Sequence, residues 1–405
     1  MSKRNTICAI DVGTTKVCTI VAEVNEGGLM RVAGVGLTPS MGLHKGLVVN
    51  INEAKESIRE SVRKAEHASG YKIESAYVGV TGRHINARNN RGVVAIARND
   101  RLVRSDDLKR VLQTAQNVRL SNDERLLHLI PRGYTVDGQE GVRNPVGMHG
   151  FRLDVETHVI TTAVSSVQNL VKCIRSVGVD IEDLVFEPLA SSEAVLTDDE
   201  KEAGIILADI GGGTTDISVF KDGSIWHSAI IPVAGYQLTR DIAIGLGLPF
   251  EVAEEMKRKY GSVMPVYEGK GNTNESIAQN GHSISYQDLC DIVRARVEEL
   301  IRLIMLELPR NETASLVPAG LVLTGGSSNL SGIDALGRDI TQLPVRVGTP
   351  VSIYGISDVL QNPAYATSVG LLLWGMKPGS TSTWRRGIFR GGLLNFMSRI
   401  RKLFG

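Results

Sequence analysis

Cysteine is scarce: Cys8, Cys18, Cys173 and Cys290 are the only four in 405 residues, and no two form a C-x-x-C pair. That excludes a disulfide framework and a thiolate zinc site, and it suits the reduced thiols of a cytosolic chain. The eight histidines show no H-E-x-x-H or comparable spacing, so no transition-metal centre is expected. Charge of one sign is lacking too. Forty-five Lys and Arg against 44 Asp and Glu leave a net charge of +1, so no global field attracts nucleic acid, and none is expected as a partner. No apolar run approaches the roughly 20 residues of a membrane-spanning helix. The apolar stretch after Arg4 is broken by Asp11 before a signal-peptide core forms, so the expected setting is the cell interior. There is no G-x-x-x-x-G-K-[ST] string, which removes a P-loop, and no G-x-G-x-x-G opening a helix, which disfavours a dinucleotide site.

What is present is an ordinary globular composition, 42% apolar and 22% charged, at a length that calls for two or more domains. Residues 6–10 and 17–24 read as strands joined by a glycine-bearing turn, and residues 205–208 and 217–220 repeat that pattern half a chain later. Similarity at this spacing predicts a duplicated domain, not a solenoid. Helices are predicted over 52–69 and 167–177, ending at Gly70 and Gly178, with a strand over 75–80. An insert over 84–161 carries alternating strands near 93–97 and 155–163 and a helix over 106–118 capped by Ser105. Further helices are predicted over 249–260 and 286–308, separated by a Gly/Asn-rich loop over 269–281. A buried strand over 321–323 runs into Thr324-Gly325-Gly326.

The string AIDVGTTK (residues 9–16) puts Asp11 at a strand end, followed by Gly13, Thr14, Thr15 and Lys16. Glycine lets backbone N–H groups approach a phosphate, the threonines add hydroxyl donors and the lysine adds charge. Alone this is also a common hairpin turn. The string ADIGGGTTD (residues 208–216) is more specific, because Gly211, Gly212 and Gly213 carry an entropy cost that ordinary turns avoid. Together with Thr214 and Thr215, the two loops can clamp the phosphates of one nucleotide, with Asp11, Asp209 and Asp216 holding Mg²⁺ through water.

These loops resemble the phosphate 1 and phosphate 2 motifs of the actin, Hsp70 and sugar-kinase superfamily. The other motifs follow in that superfamily's order. FEPLASS (residues 186–192) is similar to the first connecting helix, with Glu187 where the family places a ligand of magnesium-bound water. LTGGSSNL (residues 323–330) is similar to the adenosine motif, in which Gly325, Gly326 and Ser327 let the base and ribose lie on backbone. AEEMK (residues 253–257) resembles the helix whose Glu254 and Lys257 flank adenine, and residues 362–375 resemble the second connection. The resemblance implies a duplicated actin-like, ribonuclease H-like α/β ATPase fold that binds ATP and Mg²⁺.

Between residues 24 and 52 there is little room for the early insert of conventional actins and Hsp70. The 84–161 insert instead resembles subdomain 1C of the bacterial cell-division family FtsA, and residues 32–50 are similar to a stretch of that family. The implied organisation is subdomain 1A over 1–83 and 162–195, subdomain 1C over 84–161, subdomains 2A and 2B over 196–376, a linker over 377–392 and a membrane-targeting helix over 393–405. The resemblance further implies a protein that polymerises with itself on the inner face of the cell membrane at the division septum. It would anchor FtsZ filaments through the FtsZ C-terminal tail and recruit later divisome membrane proteins through the 84–161 subdomain.

The tail adds a physical argument. At about 100° per residue, Leu393, Leu394, Phe396, Met397, Ile400, Leu403 and Phe404 share one half of a helical wheel, with Arg399 and Lys402 opposite and Arg401 at the margin. No acidic residue follows Asp358. A basic amphipathic helix of about 12 residues, too short to be stable alone in water, suits an anionic membrane interface.

A sugar or small-metabolite kinase of the same superfold is the enzyme alternative, although no string suits its substrate. An Hsp70-like chaperone is excluded by the roughly 30 residues after Gly375. Asp209 suits either of two roles, orienting water for an ATPase activity that would be weak at most, or only holding Mg²⁺. Arg294 and Arg296 on the 286–308 helix suit the acidic FtsZ tail, and equally a solvated helix face.

Overall fold

The computed structural model describes residues 5–25, 27–264, 276–279, 281–308, 316–351, 353–355 and 358–377. The amphipathic tail expected over 393–405 and its linker from 378 onward lie outside the described residues.

Two sheets share one topology. In the first, Asn5–Val12, Lys16–Val24 and Met30–Pro39 form an antiparallel meander. Ser75–Val80 pairs in parallel with Asn5–Val12, and Asp180–Phe186 pairs in parallel with Ser75–Val80. In the second, Ile205–Ile210, Thr215–Lys221 and Ser224–Ile231 make the same meander, followed by parallel Leu321–Thr324 and Val345–Val347. This is the duplicated ribonuclease H-like arrangement, and its two hairpins are the repeat visible in the sequence. The central strands are apolar almost throughout because helices cover both faces.

The Ile51–Ser69 helix lies so close to the first sheet that a Cβ on Gly36 would be 1.9 Å from the Ser61 carbonyl oxygen. A hydroxyl pair, Thr19 with Ser61 at 2.8 Å, satisfies the buried polar groups there. Two further helices, Glu187–Val195 and Ala366–Met376, cross between the halves. A Cβ on Gly370 would be 1.8 Å from the Ala190 carbonyl oxygen, so backbone rests on backbone at the crossing. Ala366–Met376 is apolar nearly all round, as a helix buried on every side must be.

The region read as an insert carries a separate antiparallel sheet, ordered Ile85–Ala95, Arg152–Ala163, Glu124–Val136 and Gln139–Val142, with the Ser105–Gln116 helix on one face and its own apolar core. The cap of that helix departs from the expected one. Ser105 is its first residue, and the Asp107 carboxylate accepts the Arg104 N–H at 2.9 Å. The sheet's other face meets the Ser224–Ile231 strand, where His158 Nε2 lies 2.8 Å from Ser228 Oγ and Asn89 Nδ2 donates to the Trp226 carbonyl at 3.2 Å.

Part of the loop expected over 269–281 is instead a short hairpin, Ser276–Gln279 with His282–Ser285. Alternating Ser-Ile-Ala-Gln and His-Ser-Ile-Ser supply the two-residue period that the flanking glycine and asparagine masked. Among the described residues, no helix is long and apolar enough to cross a membrane.

Candidate functional site

The two hairpin turns have matching backbones. Gly13 N–H donates to the Lys16 carbonyl at 3.0 Å, and Gly211 N–H donates to the Thr214 carbonyl at 3.0 Å. In register, Asp11 lies opposite Cys18 and Asp209 opposite Asp216. The turns meet face to face. A Cβ on Gly212 would be 2.3 Å from Thr15 Cγ2, and one on Gly213 would be 2.6 Å from Thr14 Oγ1. Gly211, Gly212 and Gly213 are absent from the positive-φ residues, so what demands glycine at 212 and 213 is the space taken by the opposing threonines.

Four buried carboxyl groups surround this contact: Asp11, Glu187, Asp209 and Asp216. Consecutive hydroxyls on the Ala366–Met376 helix serve two of them. Thr367 Oγ1 donates to Asp209 at 3.0 Å and Ser368 Oγ to Asp11 at 2.7 Å. Thr81 Oγ1 donates to Asp216 at 2.6 Å. Glu187 opens its helix directly against Gly79, where a Cβ would be 3.1 Å from Glu187 Cγ. Burial pushes the Asp209 carboxyl up to about 6 and that of Asp216 up to about 8. Asp11 is raised by the same cause, which Lys16 opposes. Glu187 is held well above the carboxylate range by burial and then by the charges of Asp11, Asp216 and Asp209. The Lys16 ammonium donates to the Ala364 carbonyl at 2.7 Å and lies 4.9 Å from the Tyr365 ring centroid.

The adenosine-like motif continues the site without a break. Gly325 has φ 85°, and a Cβ there would be 2.4 Å from Asp209 Oδ1, so both its conformation and its position require glycine. Gly326 follows against Ala364, and Ser327 Oγ donates to the Gly211 carbonyl at 3.0 Å. Thr215 Oγ1 donates to the Val233 carbonyl at 2.7 Å, and Thr214 is buried. On the neighbouring Phe250–Tyr260 helix, Lys257 Nζ contacts Glu254 at 2.6 Å, Thr239 Oγ1 at 2.8 Å and the Gly235 carbonyl at 3.2 Å. Burial lowers the Lys257 ammonium, and Glu254 opposes that shift. Gly235 in turn abuts Ser327, where a Cβ would be 2.7 Å from Oγ. The phosphate-loop, adenosine-motif and Glu254/Lys257 positions are therefore linked by contacts into one cluster, with Asp11, Asp209, Thr214, Thr215, Asp216 and Lys257 buried in it.

Arg294 and Arg296 lie elsewhere, on the Tyr286–Leu306 helix, and are not the free exposed pair that the sequence suggested. Arg294 pairs with Glu298 at 3.0 Å and donates to the Val263 carbonyl at 3.1 Å. Arg296 pairs with Asp241 and Glu299. Beside Arg296 is a groove of about 360 Å³ lined by Asp241, Ile244, Ile292, Ala295 and Glu299.

Sequence reasoning missed Thr81, Thr239, Thr367 and Ser368. For Thr81 a signal existed. It follows the parallel Ser75–Val80 strand at its C-terminal end, where open α/β sheets place ligands. Among the described residues, no three His, Cys, Asp or Glu side chains converge tightly enough to ligate a metal directly. The donors still fit magnesium held through its water shell: they are carboxylate oxygens, buried and short of positive charge.

A family model described as "Cell division protein FtsA" matches residues 206–370, and one described as "SHS2 domain inserted in FTSA" matches residues 82–161. The chain is 45% identical over 377 residues to the cell division protein FtsA of Pseudomonas aeruginosa, covering 92% of this chain and 90% of that one. It is 36% identical over 382 residues to the FtsA of Escherichia coli K12, with 92% and 90% covered. Among solved structures, it resembles a chain of a PilM-PilN type IV pilus biogenesis complex at TM-score 0.68 and 17% identity, covering 93% of this chain and all of that one. It also resembles MreB5 of Spiroplasma citri bound to ADP at TM-score 0.55 and 14% identity, covering 96% of this chain and all of that one. At those identities the likeness concerns the fold, which is actin-like.

Proposed function

This chain belongs to the FtsA family of cell division proteins, and from that premise we propose that it is an ATP-binding, self-assembling anchor that ties FtsZ filaments to the inner face of the cell membrane at the septum. The observation that carries the nucleotide reading is the mutual fit of the two turns, threonines of one filling the space left by glycines of the other. With the Gly13 and Gly211 N–H groups closing their own turns, the backbone N–H groups of Gly212 and Gly213 face the β- and γ-phosphates, Gly325, Gly326 and Ser327 support the ribose, and Glu254 and Lys257 flank adenine. Asp11, Asp209 and Asp216, with Glu187, hold Mg²⁺ through its waters, and the ion neutralises phosphate charge when bound. Asp209, whose carboxyl burial raises and the Thr367 hydroxyl holds, has either of two roles, orienting water for an ATPase activity that is weak at most or only holding Mg²⁺.

The groove beside Arg296 supports FtsZ-tail binding on this face. It offers apolar contact at Ile244, which is 70% exposed, and a guanidinium that an incoming carboxylate can take from Asp241. Arg294 lies on the same helix as a second cation. The 84–161 sheet is the platform for later divisome membrane proteins, and the 393–404 helix folds on anionic lipid.

Electron microscopy on anionic lipid monolayers with ATP tests the proposal. Regular rows of subunits are expected, and a chain ending at Thr383 should leave the lipid bare. Dispersed monomers together with ATP-dependent phosphorylation of a small metabolite would replace this reading with the kinase one.

A further inference from the structure

Strands Leu43–His44 and Leu47–Val48 form a hairpin whose two turn residues, Lys45 at φ 49° and Gly46 at φ 75°, are both left-handed. Two consecutive positive φ angles define the turn whose twist suits a two-residue hairpin, and lysine is an unusual occupant of the first position. Such a conformation persists where its surroundings hold it, and it clusters at ligand clamps.

The surroundings here come from both halves of the molecule. A Cβ on Gly46 would be 2.7 Å from the Thr81 carbonyl oxygen, and Thr81 is the residue whose hydroxyl serves Asp216. Lys45 Cα lies 3.0 Å from where Gly213 would carry a Cβ. The His44 ring meets Tyr236 edge-on at 5.9 Å, and Tyr236 packs on Phe250 at 5.0 Å. The Tyr236 N–H donates to the Gly212 carbonyl at 2.7 Å. A segment of the first half therefore sits across the second glycine loop.

The lysines near the cleft differ in what their ammonium groups do. Lys16 is spent on the Ala364 carbonyl and Lys257 on Glu254. Lys45 is half-buried and, among the described residues, has no hydrogen bond or ion pair. Its Cα stands beside a loop suited to phosphates, in a cleft lined by four buried carboxyl groups. A triphosphate placed there needs cations from the protein as well as from Mg²⁺.

We propose that the 43–48 hairpin is a lid given by the first half to the second, and that Lys45 is its phosphate ligand, taking the terminal phosphate of the bound nucleotide. The inference rests on the nucleotide reading above. The lid sits on the loop whichever nucleotide is present, but only a nucleotide with a third phosphate engages the ammonium. ATP and ADP are thereby told apart, and the γ-phosphate links the halves at the mouth of the cleft.

Calorimetric titration of the full chain with MgATP and MgADP tests this, on the wild type, K45N and K45R. Asparagine tolerates the left-handed conformation, so K45N removes the charge and keeps the turn. Equal melting temperatures for the three chains serve as the folding control. K45N is expected to lose about tenfold in ATP affinity, as for one charge-assisted hydrogen bond, and less than about threefold for ADP, while K45R restores most of the ATP affinity. Equal losses for both nucleotides would make the hairpin a packing element only and overturn the proposal, as would no loss for either. If the wild type bound neither nucleotide, the nucleotide reading itself would fall, an outcome distinct from a change confined to Lys45.

Discussion

The turns after Asp11 and Asp209 have the same length and the same closing hydrogen bond, yet their side chains are opposite in kind. The first carries Thr14, Thr15 and Lys16, and the second carries Gly212, Gly213 and Thr214 at the matching positions. Opposite the leading aspartate, the first hairpin has the Cys18 thiol, pushed up to about 12 and so neutral, where the second has Asp216. Duplication kept the backbone and divided the labour. One turn supplies bulk and a cation, and the other yields space and adds a second carboxylate.

Exchanging the contents of the two turns tests this division of labour most directly. With threonine at 212 and 213 (G212T with G213T), the new side chains collide with Thr15 and Thr14. MgATP affinity should fall by about a hundredfold or more while circular dichroism is unchanged. The reverse exchange, T14G with T15G, removes contacts without adding a clash and should cost about tenfold. Equal effects from the two exchanges would show that the turns are interchangeable.

The pH response sharpens the second difference. Asp216, at about 8, and Asp209, at about 6, lie above the roughly 4 of an unfolded aspartate. The native state therefore holds the extra protons. The stability these groups contribute is complete at low pH and is lost as pH rises through about 6 and then about 8. His158, pushed down to about 3, His84, to about 4, and His227, also lowered by burial, are neutral in the native state but partly protonated in the unfolded chain near pH 6.5. Each therefore opposes the trend by about 0.4 kcal/mol, and the comparison with D216N isolates the carboxyl contribution. Without nucleotide or divalent cation, urea unfolding should show the wild type losing about 1–2 kcal/mol relative to D216N between pH 6.5 and 8. A difference that rises across that interval would contradict the assignment.

The smallest effect concerns the hydroxyls. T367A and S368A each remove one hydrogen bond to a buried carboxylate, and each should destabilise by about 1 kcal/mol with similar shifts in thermal melting. A much larger loss for one would show that Asp11 and Asp209 are not held equivalently.

The glycine strings and the strand runs around them were legible because they are local: each hairpin lies within about twenty residues, and its continuous β-rich apolar runs flank a glycine-bearing turn. Thr81, Thr367 and Ser368 were not, because their partners lie 135, 158 and 357 residues away. A hydroxyl carries no periodicity that would place it opposite a distant carboxylate. The 43–48 hairpin was hidden for a different reason. Its turn residues are Lys-Gly, and lysine does not announce a left-handed backbone. Arg294 and Arg296 looked available because sequence displays charge without the acids that tertiary packing brings to it.

Thr367 and Ser368 are neighbours on one helix, and each holds the carboxylate of a different half. They act as a gauge, because the spacing between consecutive residues in a helix is constant. The floor of the cleft is thus locked to a single width, and widening it would mean giving up one of two buried hydrogen bonds. Toward the rim the halves are held differently, by the Thr81 hydroxyl on Asp216 and by the 43–48 hairpin against the second glycine loop, so the Ala366–Met376 helix sets the width and those contacts set the closure.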